Sequence, residues 1–162
     1  KDGGPVFVPV VIDDAGDAFG LKARIAAKML LNAHSTAVFA RLGRVVGNTM
    51  TNVSPSNLKL IGRATYLVQS HVNDIIGRRS FAADRGRRGP ITYAEANAVL
   101  YDSIALLKGK RDKAGQTAEV AVSIIRIVES LRAGKPFPPD EALALAVAPG
   151  GLAAYLDRFP SD

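Results

Sequence analysis

The sequence predicts a mostly helical α/β fragment, and three observations lead there. A β-branched run near the amino terminus, Val6 to Ile12, lies between Gly-Gly-Pro and Asp-Asp, as a buried strand of the parallel-sheet kind would. From about Leu21 onward, apolar residues recur at helical spacing. Helix-start and helix-stop residues then punctuate the rest of the chain. One strand is not a sheet, so Val6–Ile12 is expected to pair with a part of the protein outside this sequence or with another chain. The opening KDGGPVFVPVVIDD has no initiator Met, as expected of a fragment or a processed product.

In the first helix Leu21, Ile25, Met29, Ala33 and Ala37 recur at fours, with Lys22, Arg24 and Lys28 off that line. It is apolar on most faces from Ala26 to Ala40, which predicts a central, largely buried helix ending near Gly47. Ser54-Pro55 is a favourable start for a second helix, and Leu60, Ile61, Ala64, Leu67, Val68, Val72 and Ile75 form its stripe up to Gly77. Thr92-Tyr93-Ala94-Glu95 is a capping box opening a third helix to about Leu107. Thr117 to Arg132 is a fourth, with Val120, Ile124, Ile127, Val128 and Leu131 on one face and Gly134 after it. Glu141–Ala148 and Leu152–Phe159 are two short helices divided by Pro149-Gly150-Gly151.

Composition narrows the function classes. The 162 residues suit one domain or two small ones, and 48% apolar content is enough for a core. There is no cysteine, which excludes a disulfide scaffold and a cysteine-based zinc site and fits a reducing compartment. No apolar run reaches membrane-spanning length, and no membrane partner is expected. The net charge of +6 is concentrated between Gly77 and Gly89, where Arg78, Arg79, Arg85, Arg87 and Arg88 face a single acid, Asp84.

The stretch LKARIAAKMLLNAHSTAVFARLGRVVGNTMTNVSPSNLKLIGRATYLV carries more specific information. Its Lys22-Ala23, Lys28, Leu31-Asn32, Ser35-Thr36, Leu42-Gly43-Arg44-Val45, Gly47-Asn48-Thr49-Met50 and Ser56-Asn57-Leu58-Lys59-Leu60 agree in order and spacing with one family. They resemble the carboxy-terminal part of N-acetylmuramic acid 6-phosphate etherases, of the sugar isomerase (SIS) superfamily. The resemblance implies the last strand and helices of a SIS-type α/β/α domain, followed by a small helical module. It divides the chain into residues 1–77, an arginine-rich linker 78–90 and a helical module 91–162. It implies binding of an amino-sugar phosphate within an etherase-like lyase, cytoplasmic, without a cofactor, and paired as a homodimer or with a missing amino-terminal half. The family's catalytic glutamates and serine-rich phosphate loop lie upstream of the matching region, so no catalytic residue is assigned and the chain alone is expected to be inactive. Where the family carries Gly-Ser/Thr-x-Arg near the sugar phosphate, this chain has Asp17-Ala18-Phe19-Gly20. Asn52 stands where the family often has Asp.

The resemblance makes Lys22, Asn48, Asn52, Asn57 and Lys59 the candidate substrate-binding residues. Amide side chains hydrogen-bond sugar hydroxyls, but they serve equally to cap helices and tie down loops. Lys22 stands near a helix start, where anions collect, although a solvated first-turn lysine needs no ligand. His34 and His71 have no carboxylate at metal-ligand spacing and are expected to be packed or surface residues. Two other readings remain. The altered Asp17-to-Gly20 segment suits a non-catalytic, sugar-phosphate-sensing regulatory protein. The arginine segment suits a basic helical nucleic-acid- or protein-binding module, although one aromatic, Phe81, and no recognition helix argue against nucleic acid.

Overall fold

The computed structural model describes residues 8–13, 15–47, 49–51, 53–81, 89–108 and 118–160. They fall into two units, 1–38 and 39–162. The elements in order are α1 (Leu21–Arg41), β1 (Val45–Val46), β2 (Thr49–Met50), α2 (Leu58–Gly77), α3 (Tyr93–Leu107), α4 (Glu119–Ala133), α5 (Pro139–Ala146) and α6 (Gly151–Leu156). The protein is mostly helical, with one two-stranded sheet among the described residues.

In the first unit, two expectations are corrected. The residues of the expected strand that are described, Val8 to Ile12, form no strand, and Val8, Val10 and Val11 are 64%, 50% and 96% exposed. A strand needs a neighbour for its backbone hydrogen bonds, and no described segment supplies one. Helix α1 starts where expected, but none of its residues is buried. Leu21, Ile25, Met29, Leu30, Leu31 and Val38 are all exposed. They are spread around the helix rather than gathered into one stripe, so no single packing partner would cover them.

The end of α1 is also earlier than expected. Gly43 takes φ 69°. Its N–H bonds the Ala40 carbonyl at 3.0 Å, and the Arg44 N–H bonds the Phe39 carbonyl at 2.9 Å. These two bonds are the Schellman closure, which satisfies carbonyls that the helix end would leave bare. The Arg44 guanidinium lies 5.9 Å from the Phe39 ring centroid and supplies the contact that accompanies such a cap. Gly47, expected at the helix end, instead has φ 59° in the connection between the antiparallel pairs Val46↔Thr49 and Val45↔Met50. A two-residue hairpin turn requires positive φ at its first position, which glycine adopts without strain. The Thr51 N–H and hydroxyl both donate to the Arg44 carbonyl and close the hairpin base.

The second unit is a helical bundle. Helix α2 begins at Leu58, capped by Asn57, rather than at the expected Ser54-Pro55. Residues 54–56 instead turn tightly, with the Ser56 N–H on the Ser54 carbonyl at 2.8 Å. The predicted stripe is otherwise the buried face: Ala64, Leu67, Val68, Val72 and Ile75, with Thr65 and Ile76. Helix α2 packs on α3 and α4, α3 on α4, α4 on α5, and α5 on α6. Their shared core holds Leu100 of α3, Val120, Ile124, Ile125 and Val128 of α4, and Leu152, Tyr155 and Leu156 of α6. The capping box is present: Glu95 N–H donates to Thr92 Oγ1, and Thr92 N–H donates to Glu95 Oε2. Asn73 fixes the loop before α3 by bonding both the N–H and the carbonyl of Ile91, at 2.8 and 3.1 Å. Helices α3 and α4 are joined by the Arg126–Asp102 ion pair at 2.7 Å.

Candidate functional site

The residues singled out by sequence lie in different settings. Asn48 and Asn52 fall outside the described residues. Lys22 belongs to the first unit, and Asn57 and Lys59 to the second.

Around Lys22 the chain satisfies its own groups. The Asp17 carboxylate accepts the N–H groups of Leu21 at 2.9 Å and Lys22 at 2.7 Å. These are unpaired donors of the first helical turn, where negative charge is favoured. The chain therefore places its own anion at the start of α1. The Lys22 ammonium donates to the carbonyls of Asp13 and Ala15 at 3.3 and 3.2 Å, which draws the preceding loop against the helix.

Asn57 and Lys59 sit at the start of α2, and both are exposed. Asn57 has extended backbone, φ −152° and ψ 169°, and its Oδ1 accepts the Leu60 N–H at 3.0 Å. That is N-cap geometry, which stabilises a helix by about 1 kcal/mol. Lys59 adds a cation to an end that already presents backbone N–H groups to solvent.

A separate cleft of about 270 Å³ lies within the second unit, between β1, α2, α6 and the residues after α6. Its polar groups are His71 and Asp74 of α2, Arg78 at the C-cap of that helix, and Asp157. The Arg78 guanidinium donates to the Asp74 carboxylate and to the Phe159 carbonyl, and so ties the carboxy-terminal turn to α2. His71 Nε2 is buried and has no hydrogen-bond partner among the described residues. Burial pushes the His71 imidazole below its ordinary range; the Asp74 charge opposes this, and the Arg78 charge adds to it. Burial thus favours the neutral form of the ring. His71 is half-buried, as expected of a packed histidine, but it also lines a cavity. Sequence reasoning missed the cleft. The available signal was spacing: His71 and Asp74 stand at i and i+3 on one face of α2, and Arg78, its C-cap, follows at i+7.

Among the described residues, no group of three or more His, Cys, Asp and Glu residues is placed to hold a metal ion. No described helix is long and apolar enough to cross a membrane.

Comparison with known proteins gives one consistent result. The chain is 53% identical over 49 residues to an N-acetylmuramic acid 6-phosphate etherase of Parasynechococcus marenigrum, covering 30% of this chain and 16% of that protein. It is 50% identical over 50 residues to an etherase of the same name from Porphyromonas gingivalis, covering 31% and 18%. The Bacillus subtilis etherase is 47% identical over 53 residues, covering 33% and 17%. The chain thus spans less than a fifth of the length of these curated relatives. No family model and no solved structure matches it. By this segment of about fifty residues, the chain fits a partial N-acetylmuramic acid 6-phosphate etherase-like protein.

Proposed function

We propose that this chain contributes to amino-sugar phosphate binding in an etherase-like lyase, with other segments supplying the catalytic carboxylates. The observation that carries this reading is the identity of 43–53% to etherases over 48–57 residues. Two features of the chain support it. Helix α1 is apolar around its circumference yet has no buried residue, as expected of a helix that an α/β layer and a second protomer cover on different faces. The start of α2 combines solvent-facing N–H groups, the Asn57 amide and the Lys59 cation, a set suited to a phosphorylated sugar. In the etherase reaction a carboxylate withdraws a proton and an acid assists departure of lactate. No described residue of this chain is assigned either task.

The test measures lactate release from N-acetylmuramic acid 6-phosphate by the 162-residue chain and by a version extended with an etherase amino-terminal domain. The expected result is release from the extended protein only. Lactate from the short chain would overturn the assignment of the carboxylates to other segments. Its absence from a folded, extended protein that still binds the substrate would overturn the lyase reading. That outcome would favour a second reading, a non-catalytic sugar-phosphate sensor, which one observation already supports. Asp17 fills the start of α1 with a carboxylate, and Ala18 and Gly20 stand where the etherase pattern has a hydroxyl residue and an arginine.

A further inference from the structure

We propose that Gly43 and the Gly150-Gly151 turn form a clasp through which the β1–β2 hairpin and helix α6 open and close as one unit, so that whatever holds one of them steadies the other. The hairpin lies in the stretch that carries the etherase resemblance, whereas α6 lies far along the chain in the helical module. The inference does not rest on the phosphosugar reading. Neither element is long enough to hold itself together. Strands β1 and β2 have two residues each, and an isolated two-stranded hairpin is marginal in water at best. Helix α6 has six residues, about half the length at which an isolated helix becomes marginal. Its N-cap, Gly150, offers no side chain to the first-turn N–H groups. Each element must therefore draw its order from what it touches.

What they touch is each other. Strand β1 packs on α6, and Val46 lies against the core that holds Leu152 and Leu156. Beside that contact the two turns meet backbone to backbone. Gly43, Gly150 and Gly151 have φ of 69°, 82° and 56°, the region that glycine adopts without strain. A Cβ on Gly43 would overlap the Gly150 carbonyl, and a Cβ on Gly151 would lie 3.3 Å from the Gly43 carbonyl oxygen. Each partner in this contact also starts a local structure. The Gly150 carbonyl accepts the Ala154 N–H at 3.2 Å, the first hydrogen bond of α6. Gly43 sets the turn that delivers Arg44, whose carbonyl takes the Thr51 N–H and hydroxyl at the hairpin base. Between close-packed backbones no flexible side chain absorbs a shift, so displacing one turn displaces the other. Such coupling is reciprocal: a molecule that orders the hairpin connection at Gly47-Asn48 stabilises docked α6, and docked α6 favours that molecule by the same free energy.

The experiment follows native-state amide exchange of the 162-residue chain by NMR, read as protection factors at several urea concentrations below unfolding. The residue 51 amide reports the hairpin base, and the Ala154 amide reports the first turn of α6. The amides of Ile124 and Ile125, fully buried in α4, report global unfolding. In the parent, residues 51 and 154 should share one protection factor and one urea dependence, both smaller than those of Ile124 and Ile125. Two variants then perturb one side each. Thr51→Val removes the hydroxyl bond to the Arg44 carbonyl, and Leu152→Ala removes a buried side chain of α6. Each should lower protection at residues 51 and 154 by the same factor, about fivefold for the lost hydrogen bond and more for Leu152→Ala. The proposal is overturned if the two amides differ in protection or urea dependence in the parent, or if both match Ile124, since opening is then global. It is equally overturned if either variant lowers protection only on its own side. If Leu152→Ala does not fold, the parent and Thr51→Val decide. The readout needs no ligand, so failure here leaves the lactate assay and the phosphosugar reading unaffected.

Discussion

Replacing Gly43 by alanine should loosen the second unit far more than its position in a turn between α1 and β1 suggests, because the residue is buried. A Cβ at residue 43 would lie 2.0 Å from the Gly150 carbonyl oxygen and 2.5 Å from its carbon, both backbone atoms. Ordinary contact begins at 3.4 Å, so the two turns would have to part by about 1.4 Å. The Gly150 carbonyl also accepts the Ala154 N–H, the first hydrogen bond of α6. Parting the turns therefore strains the helix that buries Leu152, Tyr155 and Leu156. Two terms add. Alanine at φ 69° carries a left-handed penalty of about 1–2 kcal/mol. Forcing atoms into a packed contact adds about 1–3 kcal/mol. Gly134→Ala is the matched control: its φ is 66°, but nothing lies within 4 Å of the added Cβ. Urea unfolding followed by circular dichroism should show Gly43→Ala about 1–3 kcal/mol less stable than Gly134→Ala, from a lower midpoint at similar slope. Equal midpoints for the two variants would refute the close approach of the two turns.

Three further predictions concern the caps and the buried histidine. Asn57→Ala should lower stability by about 1 kcal/mol through loss of the cap, whereas Asn57→Ser should retain most of it; phosphosugar affinity that falls equally in both would give the amide a binding role beyond capping. Hydrogen bonds from the Thr92 backbone and side chain hold the Glu95 carboxyl below its usual range, so its stabilising contribution is present above the unfolded value of 4.5 and is lost as pH falls through the lower folded value. Glu95→Gln should therefore differ in stability from the parent at neutral pH and converge with it in acid, a comparison read from thermal melts across that window. His71 is shifted in the disfavoured direction for a base: the unfolded chain binds the proton more readily. Stability should fall as pH drops below the unfolded value of 6.5 until the lower folded value is passed, and His71→Phe should flatten that limb of the pH–stability profile.

Local chemistry was legible in the sequence wherever the decisive atoms are close along the chain. The Thr92–Glu95 capping box, the stop at Gly77 and the apolar stripe of α2 from Ala64 to Ile75 all stand as read. Spacing alone brings those groups together, so no distant partner is needed. The short hairpin was signalled by Gly47-Asn48 but was read as a helix end, because two-residue strands are too short to show alternation. The Asn57 cap was hidden by the equally favourable Ser54-Pro55.

Burial and the cleft depended on tertiary structure. An apolar sequence reports that α1 prefers to be covered, but burial is a tertiary property, and none of its residues is buried. Likewise, sequence spacing aligned His71, Asp74 and Arg78, but the cavity exists only because β1 and the α6 turn return to that face of α2. Sequence by itself determined the helices, most of their ends and the segment shared with the etherases, since these rest on neighbouring residues. Tertiary structure alone decided which apolar faces meet and which polar atoms are left without a partner, since those depend on the distances between residues remote in sequence.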